Sequence, residues 1–463
     1  MLRASVACER AGVPSSSIVC EGFLGQAAAT SIGLGMPNLP FAMLPGHAGN
    51  QSSEELRENV RRVTSGQVLE NLLRQPSEGV LEPEPGPRDI VCASSFEEVN
   101  RFFYRKGWSD GLPIVPPTKE KVEAFLRFTD RDPDQLIGIL LPENRAATVW
   151  CIAVNGVMAG CRPEYMPVLV ALVEAMADPN YGVEHSGNTP GSETLIVLNG
   201  PIIKELEFNY TQGVLRDGFM PNTTVGRFWR LCLRNIAGFR LHKNDKGTFG
   251  NTFRVVLAEN EDALAKIGWA PNSVDMGFRA GDNVVSVSRH TGGAVIASAT
   301  GSTPEEIMPY LADAVAKQIG WEIIFTVGSS GLGTVRPVLI LTPILAETIA
   351  RAGWSKADVK RYLFDHARLP ASKVEAYTER WTNHPIGSLR QQVKLRRIPE
   401  AFYESDDPDR LVPIVFVPED FVVLVSGDPL RTNAYTFAQN GFLGFPTAKK
   451  INLPKDWTGR LEE

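Results

Sequence analysis

The 463-residue sequence lacks the short metal and redox signatures that would make its chemistry obvious. Its six cysteines, Cys8, Cys20, Cys92, Cys151, Cys161 and Cys232, are scattered and form no CxxC pair, which argues against a structural zinc knuckle. Nor do they suggest a disulfide framework in a chain this long. The six histidines, His47, His185, His242, His290, His366 and His384, form neither HxH nor HExxH, so no local metal motif is present. Only a metal site assembled from distant residues stays open. No apolar run reaches the ~18 residues a membrane span needs, and the N-terminal MLRASVACERAG has no apolar h-region of a secretory signal. A basic surplus is also missing. Lys and Arg total 47 against 53 Asp and Glu, a formal charge of −6, which speaks against a nucleic-acid partner. A cytoplasmic location is the expectation. There is no fixed-period repeat and no low-complexity tract.

What is present is an ordinary globular composition, 43% hydrophobic and 22% charged, in a chain long enough for two or three domains. Residues 1–75 read as αβαβα. A helix over 1–11 breaks at Gly12 and Pro14, and Ser17 to Cys20 is a strand. A small-residue helix covers 23–34 and a second strand runs from Pro40 to Leu44. Ser52 or Ser53 then caps a helix with Glu54 and Glu55 in its first turn. That order is the language of a parallel sheet, so the segment is read as a partial Rossmann-like layer. Two strands make a poor sheet by themselves. A doubly wound unit usually opens on a strand, so a partner chain or an upstream segment is expected to complete this one.

Residues 76–93 are rich in Pro, Glu and Gly and read as a linker. Residues 94–463 read as a larger α/β domain and the probable home of the substrate site. Ser95 caps a helix ending at Gly107, and Thr118 caps KEKVEAFLRF. Apolar runs at 195–201, 254–260, 322–331, 336–343 and 421–429 read as buried strands with loops at their carboxyl ends. Helices are expected at 167–177, 305–318 and 344–352.

Several segments are specific enough to carry a resemblance. GWSDGLPIVPPT (107–118), AVNGVMAGCRPEYMPVL (153–169), LIVLNGP (195–201) and MPNTTVGR (220–227) resemble the UGSC family of (seleno)proteins. So do RAGWSKADVKRYL (351–363), VPEDFVVLVSGDP (417–429), and the N-terminal ERAGVPSSSIVCEGF and LGMPNLPFAMLPGH. The resemblance spans nearly the whole chain and implies redox-linked thiol or selenol chemistry. The family's U/C-Gly-Ser-Cys motif precedes the helix that here begins at Met1, and it is absent from this sequence. A gene start placed downstream of a UGA selenocysteine codon would account for that. So would a natural member that lacks the motif.

The candidate site residues are named from local chemistry. Cys161 sits beside Arg162 and ahead of an apolar helix with Pro163 and Pro167 near its start, a setting expected to lower its pKa and make it the most reactive thiol. The alternative is a buried structural cysteine. Cys151, in an apolar helix-like run, reads as core. Asp110, in an Asp-Gly turn, is a candidate general acid or base or a substrate-orienting carboxylate, with Trp108 as a stacking wall. Glu164 can serve similarly or can interact with its helix N-terminus. Asn199 ends a strand where α/β proteins place ligands. Asn222 and Arg227 belong to a polar cluster with Thr223 and Thr224, Arg227 being a carboxylate or phosphate clamp or a surface ion pair. The NTT triplet is formally a glycosylation sequon, unused in a cytosolic protein. His185, in a glycine-rich loop, is the preferred acid/base histidine, with His47 second; His242 and His384 read as surface residues and His366 as structural. GSSGLG (328–333) lacks GK[ST] and the helix a phosphate loop requires.

Together these readings give a cytoplasmic enzyme on a small polar substrate, a reductase or lyase. Cys161, Asp110 and His185 are the catalytic candidates. Trp108, Arg162, Glu164, Asn199, Asn222 and Arg227 are the binding candidates. A non-redox hydrolase or lyase using Asp110 and His185, and a non-catalytic subunit paired with a motif-bearing chain, are the alternatives. No cofactor is specified, and a homo-oligomer stays open. The missing motif is expected to face a pocket built around Cys161, Asp110 and Asn199.

Overall fold

The structure, a computed structural model, describes residues 2–74, 84–252, 255–328, 334–382, 385–439 and 444–462. His384 and residues 329–333 of the GSSGLG segment lie outside them, as does 75–83 of the expected linker.

The N-terminal segment follows its turns and caps. Helix α1 (Leu2–Arg10) leads to β1 (Ser17–Cys20), α2 (Leu24–Gly33) to β2 (Phe41–Leu44), and then α3 (Ser53–Asn59) and α4 (Ser65–Leu73) follow. β1 and β2 pair in parallel, Ser17 opposite Phe41 and Cys20 opposite Leu44. Ser52 caps α3 by accepting from the Glu55 amide, while the Glu55 carboxylate accepts from the Ser52 amide, a capping box that satisfies two end donors at once. Val13, Ile18, Ile32, Leu69, Leu72 and Leu73 of this layer stay exposed, as expected for a sheet with an uncovered face.

Beyond it, α5 (Phe96–Arg105) and α6 (Lys119–Leu126) start at Ser95 and Thr118, whose hydroxyls accept from Glu98 and Lys121 amides. A hairpin of β3 (Leu136–Leu140) and β4 (Arg145–Thr148) leads into α7 (Val149–Ala159) and α8 (Met166–Ala177). These two helices are apolar nearly all round and are correspondingly buried. The central sheet then begins with β5 (Glu193–Asn199), followed by α9 (Ile202–Glu205), α10 (Met220–Cys232), β6 (Val256–Ala258), α11 (Glu261–Ile267), α12 (Asn272–Asp275) and the long β7 (Val284–Ile296). Next come α13 (Pro304–Ile319), α14 (Ile323–Gly328), β8 (Val338–Leu341), α15 (Pro343–Arg351) and α16 (Lys356–His366). A small pair, β9 (Arg368–Pro370) with β10 (Leu411–Pro413), precedes β11 (Val422–Val425), β12 (Ala434–Gln439) and β13 (Thr447–Lys450).

The main sheet has the order β11-β8-β12-β7-β5-β6, with β13 also on β7. It is mixed rather than purely parallel. β11 runs with β8 and β6 with β5, whereas β7 is antiparallel to β5, β12 and β13. The sheet curls into a half-barrel. Alternation along its strands makes two faces. Ile196, Leu198, Val285 and Val287 point out against α7, α8 and α10. Leu339, Leu341, Val423 and Val425 point out against the α13 to α16 group. Leu195, Val197, Val338, Ile340, Leu424 and Phe437 form a smaller cluster on the inner face.

The run at 322–331 corrects a sequence expectation. It forms α14, not a strand, as far as it is described, burying Ile323, Thr326 and Val327. A short apolar run carries no period by which helix and strand can be told apart.

Candidate functional site

The strap at 107–118 crosses α10 and brings two predicted residues together. Arg227 donates from Nε and Nη2 to the two carboxylate oxygens of Asp110 at 3.0 and 2.9 Å. The same guanidinium donates to the carbonyls of Pro113 (2.9 Å) and Leu112 (3.4 Å). The pair is nearly closed off from water, with side-chain exposures of 7% for Asp110 and 14% for Arg227. Trp108 turns its ring edge-on to Phe102 and Phe103, 5.9 and 5.5 Å away. It packs the strap to α5 and also lines a shallow surface hollow with Lys106 and Ile90.

Cys161 lies close to this pair, but its setting is opposite to the expected one. It follows Gly160, which ends α7 in a left-handed conformation (φ 81°), and its amide donates to the Gly156 carbonyl at 3.0 Å. It therefore terminates one helix instead of opening the next, which starts only at Met166 after a 3-10 turn at Pro163–Tyr165. Burial pushes its thiol up to about 12, against weaker help from a Thr224 hydrogen bond and the Arg227 charge. Arg162 does not activate it. That side chain turns to Glu164 (2.6 Å) and Glu207 (3.5 Å), with its guanidinium over the Tyr165 ring. Desolvation thus works against an activated thiolate at Cys161 and favours the alternative of a buried structural cysteine. Thr224, a member of the polar cluster around Asn222 and Arg227, is the hydroxyl on the thiol.

Asn199 and Asn222 are built into the frame. Asn199 donates to Glu259 (2.7 Å) and Glu261 (3.1 Å). Glu259 is 1% exposed, and burial raises its pKa even though Lys356 and the Asn272 and Val425 amides favour its charge. Sequence reading passed over Glu259, although an acid directly after an apolar strand is a visible signal. Asn222 accepts from the Asn209 amide (2.8 Å) and donates to the carbonyls of Asn209 (3.0 Å) and Val256 (2.8 Å). It faces β6, while Arg227, five residues on, faces the strap, so one helix separates the two. Asp110, Cys161 and Thr224 therefore meet on one side of α10, and Asn199 belongs to a different cluster.

His185 occupies a third position, a 3-10 turn at Val183–His185. Partial burial lowers its pKa. Glu184 opposes this, and the positive charges of Arg289 and Arg3 add to it. Arg289 is itself 2% exposed and is held by the Gly182 carbonyl (2.9 Å), Ser186 and the Tyr181 ring.

Arg3 comes from α1 and pairs with Glu184 at 3.3 Å. In an α-β-α unit with parallel strands, the start of α1, the start of α2 and the carboxyl ends of β1 and β2 all lie at one end, where such sheets hold ligands. That end faces the larger part of the chain. A Cβ on Gly25, in the first turn of α2, would sit 2.5 Å from the Lys243 carbonyl oxygen; the far end of the same helix also packs on the larger part, where a Cβ on Gly33 would lie within 2.6 Å of Glu143. At the same end Glu21 accepts from the Gly46 amide (3.2 Å), and His47 accepts from Gly49 (3.1 Å) with its ring 6.0 Å from Phe23. Arg3, Cys20, Glu21 and His47 on one side, and Glu184, His185 and Lys243 on the other, make the seam the best candidate centre. Among the described residues no three His, Cys, Asp or Glu side chains gather as a metal ligand set, and no helix is long and apolar enough to cross a membrane.

The N-terminal αβαβα layer and the half-barrel, with two small antiparallel pairs beside them, define an α/β protein. Its first part can be placed: residues 1–74 match the UGSC family, and the resemblance holds over that segment. No curated protein and no solved structure matches the chain.

Proposed function

We propose that the protein is an enzyme acting on a small polar substrate by thiol- or selenol-linked chemistry, as a reductase or lyase, at the seam between the UGSC segment and the His185 loop. The observation that carries this is the 3.3 Å Arg3–Glu184 contact, which sets the start of α1 beside His185. The family resemblance implies a U/C-Gly-Ser-Cys motif just ahead of that helix. A thiol or selenol there, from an upstream segment or a partner chain, would stand next to an imidazole whose pKa is lowered by burial, in the direction of the neutral base. A neutral imidazole can take the thiol proton and return it to a leaving group. The outer edge of β1, which pairs only with β2 among the described strands, suits completion by a further strand. In this reading residues 1–75 carry the redox group, 76–93 connect, and 94–463 hold the substrate. Arg227 and Asp110 position the strap. Cys161, buried at the end of α7, is read as structural in this scheme. All six cysteines are free, in keeping with a reducing, cytoplasmic location.

The test is turnover of the protein isolated from its own cell, with dithiothreitol as reductant and a panel of small disulfides and peroxides. His185→Ala is expected to lower kcat about tenfold or more. A reductase consumes dithiol in step with product, whereas a lyase does not. Unchanged kcat in His185→Ala overturns the seam assignment.

A further inference from the structure

Strand β7 carries Ser286, Ser288 and His290 on its inner face; Val197 and Leu195 of β5 lie opposite the two serines, Phe437 of β12 lies nearby, and Glu193 and Gln439 lie opposite His290. A buried polar stripe costs free energy unless its groups are bonded. Ser288 Oγ and His290 Nε2 are 2.7 Å apart, and Ser286 accepts from Asn272 at 3.3 Å. His290 is fully buried, and loss of hydration takes its pKa down to about 3, so it stays neutral. Each hydroxyl retains capacity for a further partner.

A cavity of about 460 Å³ opens onto Ser286 and Ser288. Val338, Leu424, Phe421 and Phe445 supply apolar surface, and the mouth carries Lys360, Arg336, Asp275 and Glu419. The charges at the mouth are unevenly placed. Lys360 and Lys356 both turn to one carboxylate oxygen of Asp275, at 3.3 and 3.0 Å, so two ammonium groups share one carboxylate. Arg336 pairs with Asp420, and Glu419 is exposed. Lys360 therefore shares its carboxylate with a second ammonium and presents a cation on the α16 wall. The volume falls in the range of small-ligand sites, roughly 300–1,000 Å³.

We propose that the half-barrel interior is a binding site for an amphipathic organic carboxylate. Its apolar body lies on Val338, Leu424 and Phe421, a polar substituent meets Ser286 and Ser288, and its carboxylate meets Lys360. The site is separate from the seam and does not depend on the redox reading.

The full-length protein is titrated with 1-anilinonaphthalene-8-sulfonate, an aromatic anion, and then with decanoate as competitor. Enhanced, blue-shifted emission that decanoate reverses is expected. Val338→Trp fills the cavity and should weaken decanoate about tenfold or more. Val422→Trp, on the half-exposed edge strand, does the same at the rim and serves where the first variant fails to fold, as judged by far-ultraviolet circular dichroism. Lys360→Gln should weaken decanoate several-fold while leaving decanol unchanged. Emission that decanoate does not displace, equal decanoate binding in the folded tryptophan variants, or equal loss of decanoate and decanol in Lys360→Gln overturns the proposal.

Discussion

Replacing Asp110 by Asn tests whether the strap carboxylate is a structural clamp or a catalytic group. The substitution keeps the volume but removes the charge, and it sets an amide N–H against a guanidinium that has only donors. Arg227 would keep its Pro113 and Leu112 carbonyls, yet its charge would be 14% exposed with no carboxylate beside it. Breaking a buried, bidentate pair from one side costs about 3–5 kcal/mol where both groups are fully enclosed. The residual exposure and the two carbonyl acceptors reduce this to about 2–4 kcal/mol. At about 1–1.5 °C per kcal/mol for a cooperative unit of this size, the melting temperature should fall by roughly 2–6 °C. Urea denaturation of wild type, Asp110→Asn, Arg227→Gln and the double variant completes a cycle. The double variant should be more stable than the sum of the single losses implies, by at least about 1.5 kcal/mol. An Asp110→Asn protein that melts within about 1 °C of wild type but has lost turnover would show that the carboxylate works on substrate.

Iodoacetamide at neutral pH should label Cys161 and Cys232 last, since both are buried with raised pKa values, and peptide mapping that finds Cys161 labelled first refutes the desolvation account. Burial lifts the Glu322 carboxyl to about 8 from an ordinary 4.5, opposed by a hydrogen bond from Thr291. The folded chain thus keeps a proton that the unfolded chain releases, so this contribution is full below pH 4.5 and is lost as pH rises through 8, on the order of 4 kcal/mol in all. Urea midpoints of wild type should fall between pH 5 and 9 more steeply than those of Glu322→Gln, and parallel slopes count against the assignment. Gly33→Ala should push the UGSC segment off Pro142 and Glu143 at a cost of about 1–3 kcal/mol, read as faster amide exchange in both segments.

The elements easiest to read were those with chemical punctuation. Ser52, Ser95 and Thr118 cap helices as their hydroxyls suggested, and Pro45–Gly46 ends β2. β5, β8 and β11 were visible as continuous apolar runs because helices or the inner cluster cover them on both faces. β7 escaped notice since its inner face is Ser286, Ser288 and His290 and its second half carries Gly292 and Gly293, a pattern with no apolar period. The site was less legible. Asp110 and Arg227 were each singled out, but they lie 117 residues apart and nothing local joins them. Arg162 beside Cys161 suggested a thiolate. Neighbours in sequence do not fix side-chain direction, and Arg162 found two carboxylates instead.

The way the UGSC segment seats itself has a consequence for divergence among its relatives. The Arg3–Glu184 pair is largely solvated, with Arg3 56% exposed, and such pairs contribute little. The tight approaches are steric: Gly25 under the Lys243 carbonyl and Gly33 under Pro142. Complementarity of this kind is indifferent to ionic strength. Drift can therefore exchange or invert the charges around the seam at little cost, while positions 25 and 33, which meet backbone atoms, tolerate nothing larger than hydrogen. Related chains should differ freely in the electrostatics of this junction and agree in its emptiness.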